Sequence, residues 1–464
     1  MRNVTRRDVL KTVALAGASG FAAGLAGKLS FAKPPPEPLV LRPQMTDANL
    51  IGTGPTRGVL TYGEGGGMPP TLRAKLGEPF AARLVNGLDE PTTIHWHGLR
   101  IPNNMDGVPF LTQPYVYAGD NFDYSFTPPD AGTFWYHPHC NTLTQMGRGL
   151  TGLLVVENPA DPVLDADIAL NLRDWRLGSD AQFIEQSKPR DAAKAGTFGT
   201  VRTANWLLEP QYDAPAGGVV RLRLAVTDVT RVYALKMEGA EAVVIAIDGN
   251  PVPSRFALDL LMIGPGQRLD LLVLMPAVEG ATATLMDLRG TSHKAIAHLR
   301  AIGQSRKRSL GDVGPLPRNP IKEADLSSAK EISLVLSATA ENVAVNSICG
   351  ASGYSFWAIN KVPWPGDTAD GLAPLAELKL GKSYILNLEN PTPHLHPIHL
   401  HGMSFTVLSS SKRDVMPLIS DTYLILPDER VRLALVADNI GDWVLHCHII
   451  EHQKSGMTGF VRVT

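Results

Sequence analysis

A chain of 464 residues has room for three or four domains at the usual ~100–200 residues each. With 44% apolar and 19% charged residues it is a globular sequence able to bury real cores, which excludes a disordered chain. A formal net charge of -2 and the lack of a long Lys/Arg run beyond the N-terminus exclude nucleic acid as the expected partner.

In chain order, the first feature is a targeting segment. Thr5-Arg6-Arg7-Asp8-Val9-Leu10-Lys11 resembles the twin-arginine export signal. A weakly apolar stretch from Val13 to Gly27 follows, then a small-x-small site at Ser30-Phe31-Ala32. The stretch is too short and too rich in Gly and Ala to span a bilayer. Residues 1–32 are therefore expected to be a signal for the twin-arginine machinery, with the mature chain periplasmic and not stably inserted in a membrane. Three cysteines, Cys140, Cys349 and Cys447, are too few for a disulfide scaffold. Cys140 and Cys349 read equally well as a pair or as two buried thiols.

The remainder repeats itself. Lys75-Leu76-Gly77-Glu78 leads through an apolar run to Asn86 and then to His95-Trp96-His97-Gly98. Lys379-Leu380-Gly381-Lys382 leads at the same spacing to Asn390 and His399-Leu400-His401-Gly402. A second block, Gly132-Thr133-Phe134-Trp135-Tyr136-His137-Pro138-His139, matches Gly441-Asp442-Trp443-Val444-Leu445-His446-Cys447-His448. A faded middle copy runs from Gly218 through Thr227 to Lys236-Met237-Glu238-Gly239, where histidines are missing. Each copy continues into a turn before an alternating strand: Ala118-Gly119-Asp120, Pro265-Gly266-Gln267 and Pro427-Asp428-Glu429. Period-two stretches such as Val220 to Val226 and Arg430 to Val436 predict strands, and no long helical pattern appears outside the targeting segment. Three copies of a many-stranded unit predict an all-β chain of three β-sandwich domains, spanning 39–157, 158–305 and 306–464.

Ten of the 13 histidines fall in four clusters: His95/His97, His137/His139, His396/His399/His401 and His446/His448/His452. On a strand, side chains i and i+2 share a face. His446 and His448 thus face one way and Cys447 the other. His399 and His401 share a face, and His396 leaves on the opposite side. The parity predicts two metal sites. One gathers up to eight imidazoles; the other gathers Cys447, His396 and, just beyond the strand, His452 and Met457. Two imidazoles, a thiolate and a thioether form the blue-copper arrangement for electron transfer. Eight imidazoles suit several copper ions. Zinc accepts imidazole too, but it has no redox chemistry, and the neighbouring sulfur-containing set would then lack a purpose. Cys447 lies covalently between His446 and His448, a through-bond route for electrons from one site to the other.

These motifs, His95-Trp96-His97-Gly98, His137-Pro138-His139, His396-Pro397-Ile398-His399-Leu400-His401-Gly402 and His446-Cys447-His448 with His452 and Met457, resemble those of the three-domain multicopper oxidases, the laccase-like family. The resemblance covers the whole mature chain and implies three cupredoxin-like Greek-key domains and four coppers. It implies type 1 copper on His396, Cys447 and His452 with Met457 axial. It implies type 2 copper on His95 and His399, and type 3 copper on His97, His137, His139, His401, His446 and His448. The implied reaction is one-electron oxidation of a small reductant, phenolic, aromatic or a metal ion, coupled to reduction of O2 to water, by a chain expected to be monomeric. Asn103-Asn104-Met105-Asp106-Gly107-Val108-Pro109 also matches a family motif, and its Asp106 is expected to stand behind the ligands and help move protons. The alternative is a relative of exported cell-division proteins of this fold that have lost their copper ligands, but every ligand position here is filled. A two-domain nitrite reductase needs fewer histidines and a shorter chain.

Two departures stand out. Many bacterial members have a glutamate directly after the third histidine of the last motif, where this chain has Gln453, an amide that cannot release a proton at ordinary pH; Glu451 is nearby but occupies another position. The 12 methionines form no methionine-rich insertion of the kind found in cuprous oxidases. A thioether at Met457 predicts a modest type 1 potential. His293, His298 and His394 are expected to lie outside the ligand set.

Overall fold

Alternating and β-branched runs become strands along almost the whole chain, and the ladders between them give three sandwiches. The computed structural model describes residues 37–291, 293–338, 353, 355–366 and 372–464; the expected signal (1–32) and Cys349 lie outside the described residues. In the middle sandwich, Val201–Ala204, Ala166–Trp175, Val219–Val226, Arg268–Leu274, Glu241–Ile247 and Asn250–Ala257 form one sheet, in that spatial order. Gln211–Pro215, Lys294–Ile302, Thr282–Asp287, Tyr233–Glu238 and Leu261–Ile263 form the other.

The last sandwich repeats the plan strand for strand. One sheet runs Ala358–Ile359, Lys330–Ser337, Ser383–Asn390, Glu429–Val436, Phe405–Ser410, Ile419–Ser420. The other runs Ala376–Leu378, Thr458–Val463, Gly441–Cys447, His396–Leu400, Thr422–Ile425. The first sandwich is a reduced version: Leu39–Leu41, Phe80–Val85 and Asn121–Phe126 face Leu72–Lys75, Gly152–Glu157, Gly132–His137 and His95–His97. The all-β, cupredoxin-like expectation is met. Helices among the described residues are short: Thr142–Gly147, Pro189–Ala192 and Ile450–Lys454. None is long and apolar enough to cross a membrane.

Each sandwich closes on its own apolar core. Trp96, Tyr124 and Tyr136 are buried in the first, Leu222, Val244 and Leu271 in the middle, and Trp357, Leu433 and Trp443 in the last. A further cluster draws from all three: Trp135, Met146 and Leu153 with Ala225 and Val229 and with Ile450. The loop before each histidine strand is fixed by the repeated asparagine. Asn86 Nδ2 donates to the carbonyls of Glu90 (2.8 Å) and Val116 (2.9 Å), and Asn390 Nδ2 to those of His394 (2.7 Å) and Leu426 (2.8 Å). Satisfying two buried carbonyls with one amide holds the loop in the same path in both copies.

Candidate metal centre

The ladders set the histidines in register. His95 lies opposite His137, and His399 opposite His446, while Ile398 lies opposite Cys447. Residues directly opposite in an antiparallel pair share a face. His399 and His446 therefore point to one side of the sheet, and Cys447 and His396 to the other, as strand parity predicts.

On the first side, rings from the first and last sandwiches interleave. His95 stacks on His401 and His97 on His399, each with centroids 3.8 Å apart; His97 lies 5.0 Å from His448, and His139 5.5 Å from His446. All eight imidazoles are buried. Their outer nitrogens are tied down. The Nδ1 atoms of His95, His137, His399 and His446 meet the carbonyls of Asp106 (2.8 Å), Pro138 (3.0 Å), Asp421 (3.0 Å) and Cys447 (2.9 Å). A carbonyl only accepts, so Nδ1 carries the proton and the Nε2 lone pair is free. The Nε2 atoms of His95, His137 and His399, and both ring nitrogens of His448, are buried with no hydrogen-bond partner. His97 is turned the other way: its Nδ1 is unpartnered, and its Nε2 is 3.3 Å from Thr422 Oγ1.

Unsatisfied buried nitrogens are costly, and here they converge. His95/His399/His401, His95/His97/His137 and His139/His401/His446 each bring ligand atoms within 4.8 Å of one another. Burial, reinforced by the neighbouring rings, holds His97, His137, His139, His401, His446 and His448 well below the ordinary histidine pKa. Neutral imidazoles with free lone pairs are the form that binds metal.

On the other side, His396 Nδ1 and His452 Nδ1 both face Cys447 Sγ, at 3.6 and 3.5 Å, and are 3.0 Å from each other. Their far nitrogens are engaged, His396 Nε2 with Thr392 Oγ1 (2.9 Å) and His452 Nε2 with the Lys194 carbonyl (2.9 Å). Burial pushes the Cys447 thiol up and brings His452 down to about 3. A thiol so placed keeps its proton until its sulfur binds a cation, which displaces the proton and leaves the thiolate as the ligand. Met457 is fully buried in the same core, and its backbone carbonyl accepts from Cys447 N–H at 3.0 Å. Trp357 covers the pair, 4.5 Å from the His452 ring and 5.0 Å from His396, and its indole N–H donates to the Ala192 carbonyl at 2.9 Å. The donor sets and the stranded nitrogens fit copper in both pockets.

Asp106 is buried between two of the rings, with Oδ2 2.9 Å from His401 Nδ1 and Oδ1 3.2 Å from His95 Nδ1. Gln453 Nε2 lies 3.3 Å from His139 Nε2. Glu451 turns away, accepting from Thr197 N–H and the Thr197 hydroxyl of the middle sandwich. His394 is half-buried with its ring edge toward Trp357, and His298 bonds Thr284 in the middle sandwich. Cys140 is disulfide-bonded, which resolves the open choice between pair and thiol for that residue.

Sequence reasoning missed the wall opposite Asp106. Asp421 Oδ1 lies 3.3 Å from His399 Nδ1 and 3.5 Å from His97 Nε2. It is held by Arg268, whose Nη1 donates to it at 2.7 Å, while Nε donates to the Thr133 carbonyl at 3.2 Å. Burial would raise the Asp421 pKa, but Arg268 outweighs it and the carboxylate is held below its usual range. One guanidinium from the middle sandwich thus ties together the first and last. Beside it Gly266, at φ +89°, sits so close that a Cβ would lie 2.9 Å from His448 and 3.1 Å from His97. The only sequence signal for this wall was the repeated turn Pro265-Gly266-Gln267; nothing marked Asp421.

Family profiles described as multicopper oxidase match residues 45–161, 179–295 and 342–464. A crystal structure of a multi-copper oxidase from Pseudomonas thermotolerans is 37% identical, with a TM-score of 0.84 over 92% of this chain and 99% of that one. Lac15 from a marine microbial metagenome is 31% identical, with a TM-score of 0.74 over 92% of this chain and all of that one (100%). Multicopper oxidase MmcO of Mycobacterium tuberculosis is 29% identical over 87% of this chain and 83% of its own length. With every sandwich matched and both donor sets assembled, the chain belongs to the multicopper oxidase family and is a copper-dependent oxidase.

Proposed function

We propose that this oxidase takes electrons one at a time from a small reductant beside the His396–Cys447–His452 pocket and delivers them to O2 in the eight-imidazole chamber. The observation that carries this reading is the position of Cys447: its thiol lies in one pocket, and the two residues bonded to it, His446 and His448, lie in the other. Copper would supply one-electron transfer in the first pocket and four-electron reduction of O2 to water in the second. His396, Cys447 and His452, with Met457 buried in the same core, would hold the type 1 ion. His95 and His399 would hold the type 2 ion, and His97, His137, His139, His401, His446 and His448 the type 3 pair. The carbonyls behind the imidazoles fix their tautomers, so the lone pairs are already aimed into the chamber.

Proton supply falls to Asp106. Its carboxylate touches two chamber imidazoles. Gln453 has no proton to give, and Glu451 is committed to Thr197. Because one chain furnishes every ligand, a monomer suffices. The Arg6-Arg7 segment supports export by the twin-arginine route to the periplasm, which fractionation of the native host checks. The decisive experiment is copper reconstitution with visible spectroscopy. Blue thiolate absorption and a near-ultraviolet shoulder are expected in the native chain, and loss of the blue band, with oxygen consumption at background, in Cys447→Ser.

A further inference from the structure

A cavity of about 490 Å³ opens beside the outer, His396–Cys447–His452 pocket, lined among others by Phe198, Met262, Arg289, His394, Lys412 and Ile449. The volume falls within the roughly 300–1,000 Å³ of small-molecule sites. Its walls reach the electron-transfer set from three directions. His394 and Leu395 immediately precede His396, Ile449 follows His448, and Ala195 follows Lys194, whose carbonyl accepts the His452 Nε2 proton.

The charged residues in the lining of this cavity have one sign. Its lining contains two permanent cations, Arg289 and Lys412, and no Asp or Glu. Arg289 is half-buried, donating through Nη1 to the Val232 carbonyl at 3.0 Å. Among the described residues no carboxylate lies within ion-pair distance of either cation. Burial lowers the Arg289 pKa, and the nearby Arg231 lowers it further, against a weaker pull from Asp287. Arg231 already has its own carboxylate, Asp174, at 2.6 Å. A partly buried guanidinium without a counter-ion is a costly arrangement that an incoming anion relieves. Its planar fork suits a carboxylate. Apart from Thr230 and His394 the rest of the wall is apolar, with the Phe198 ring among it, a surface suited to an aromatic ring.

Metal cations find little here. Mn(II) favours carboxylate and other oxygen ligands, and Cu(I) favours thiolate or thioether. The lining offers no carboxylate, a single thioether, Met262, and a single imidazole, His394, too few donors to hold a metal ion. We propose that this cavity selects small aromatic reductants bearing a carboxylate over neutral phenols and metal ions, with Arg289 and Lys412 recognising the anionic group. The proposal rests on the reading of the adjoining pocket as the place where electrons are taken up.

The test compares 4-hydroxy-3,5-dimethoxybenzoate, its methyl ester and Mn(II). Binding is measured by calorimetry on the copper-free protein, and KM and kcat on the copper-loaded enzyme. The benzoate is expected to bind about tenfold more tightly than the ester at low salt, with the gap narrowing as ionic strength rises. Arg289→Gln and Lys412→Gln should each close most of that gap, raising KM for the benzoate more than they lower kcat, while Arg289→Lys restores part of it. Lys412 is exposed, so its variant keeps the test open even if Arg289→Gln folds poorly. An ester bound as tightly as the benzoate, or Mn(II) competing with the benzoate for the cavity, overturns the proposal. If no reductant supports oxygen consumption while the copper-free protein still prefers the benzoate, the functional reading falls and the binding preference stands.

Discussion

Where the last sandwich has the strand His396–Leu400, the middle one has Tyr233–Glu238, and where the last has Gly441–Cys447, the middle has Thr282–Asp287; both sheets have the same strand order. One copy carries six of the proposed ligands, His396, His399, His401, His446, Cys447 and His448, on those two strands and their continuations. The other carries Lys236, Met237 and Glu238 in the matching place and no ligand. The strand plan supplies a rigid two-sided frame, and the chemistry depends on which side chains occupy it. The middle copy still shapes the centre. Arg268 holds Asp421 against His399 and His97, Gly266 leaves room for His448, and the segment around Lys194 caps His452. The first and last sandwiches provide the histidines and the thiol, and the middle one provides walls.

The largest effect is expected in the acid stability of the copper-free protein. His97, His137, His139, His396, His399, His401, His446 and His448 have folded-state pKa values below the free-histidine value of about 6.5, and His452 lies at about 3. Between those values the unfolded chain binds more protons than the folded one. The stability they contribute is therefore complete above about pH 6.5 and is lost as pH falls toward 3, at about 1.4 kcal/mol per pH unit for each imidazole that titrates this way. Denaturant melts from pH 8 to 4 read the slope, and copper should flatten it. A slope of one proton or less would mean that the chamber opens to water without its metal.

Next is Arg268→Gln. Arg268 Nη1 also lies 3.3 Å from Asp248 Oδ1, so removing the guanidinium leaves Asp421 and Asp248 buried without their cation, and a loss of about 3–5 kcal/mol is expected in equilibrium unfolding. Asp106→Asn should keep copper content and spectra while lowering kcat by about a hundredfold, as loss of a positioned proton donor does. Unchanged turnover would remove Asp106 from proton delivery. Gly266→Ala places a methyl against two imidazoles at an unfavourable φ and should cost about 1–3 kcal/mol, with copper occupancy of the chamber falling although no ligand is changed. The smallest effect is expected for Gln453→Glu, a change in turnover of less than about tenfold with a shifted pH profile. An identical profile would mean that the position beside His139 does not limit the reaction.

Much of this architecture was legible in the sequence because it is written in short periods. Alternation along Gly441–Cys447 places His446 and Cys447 on opposite faces whatever the rest of the chain does, and the repeat of Asn86 and Asn390 fixes which strands correspond. Asp421, Arg268 and Gly266 were not legible for the same physical reason. Their roles come from contacts between residues far apart in the chain, Arg268 with Thr133 and Asp421, and Gly266 with His97 and His448, and no local pattern encodes such a meeting. The cap on His452 was hidden likewise: a backbone carbonyl carries no residue signature.

Copper analysis of the fully reconstituted native chain beside Cys447→Ser reads both pockets and the link between them at once. Four coppers per chain are expected in the native protein, the number typical of the family. The serine variant is expected to lose the blue copper alone, with the chamber still loaded and oxygen consumption at background. One copper per native chain, or a serine variant that still consumes oxygen at the native rate, would contradict electron delivery through Cys447 to a multi-copper chamber.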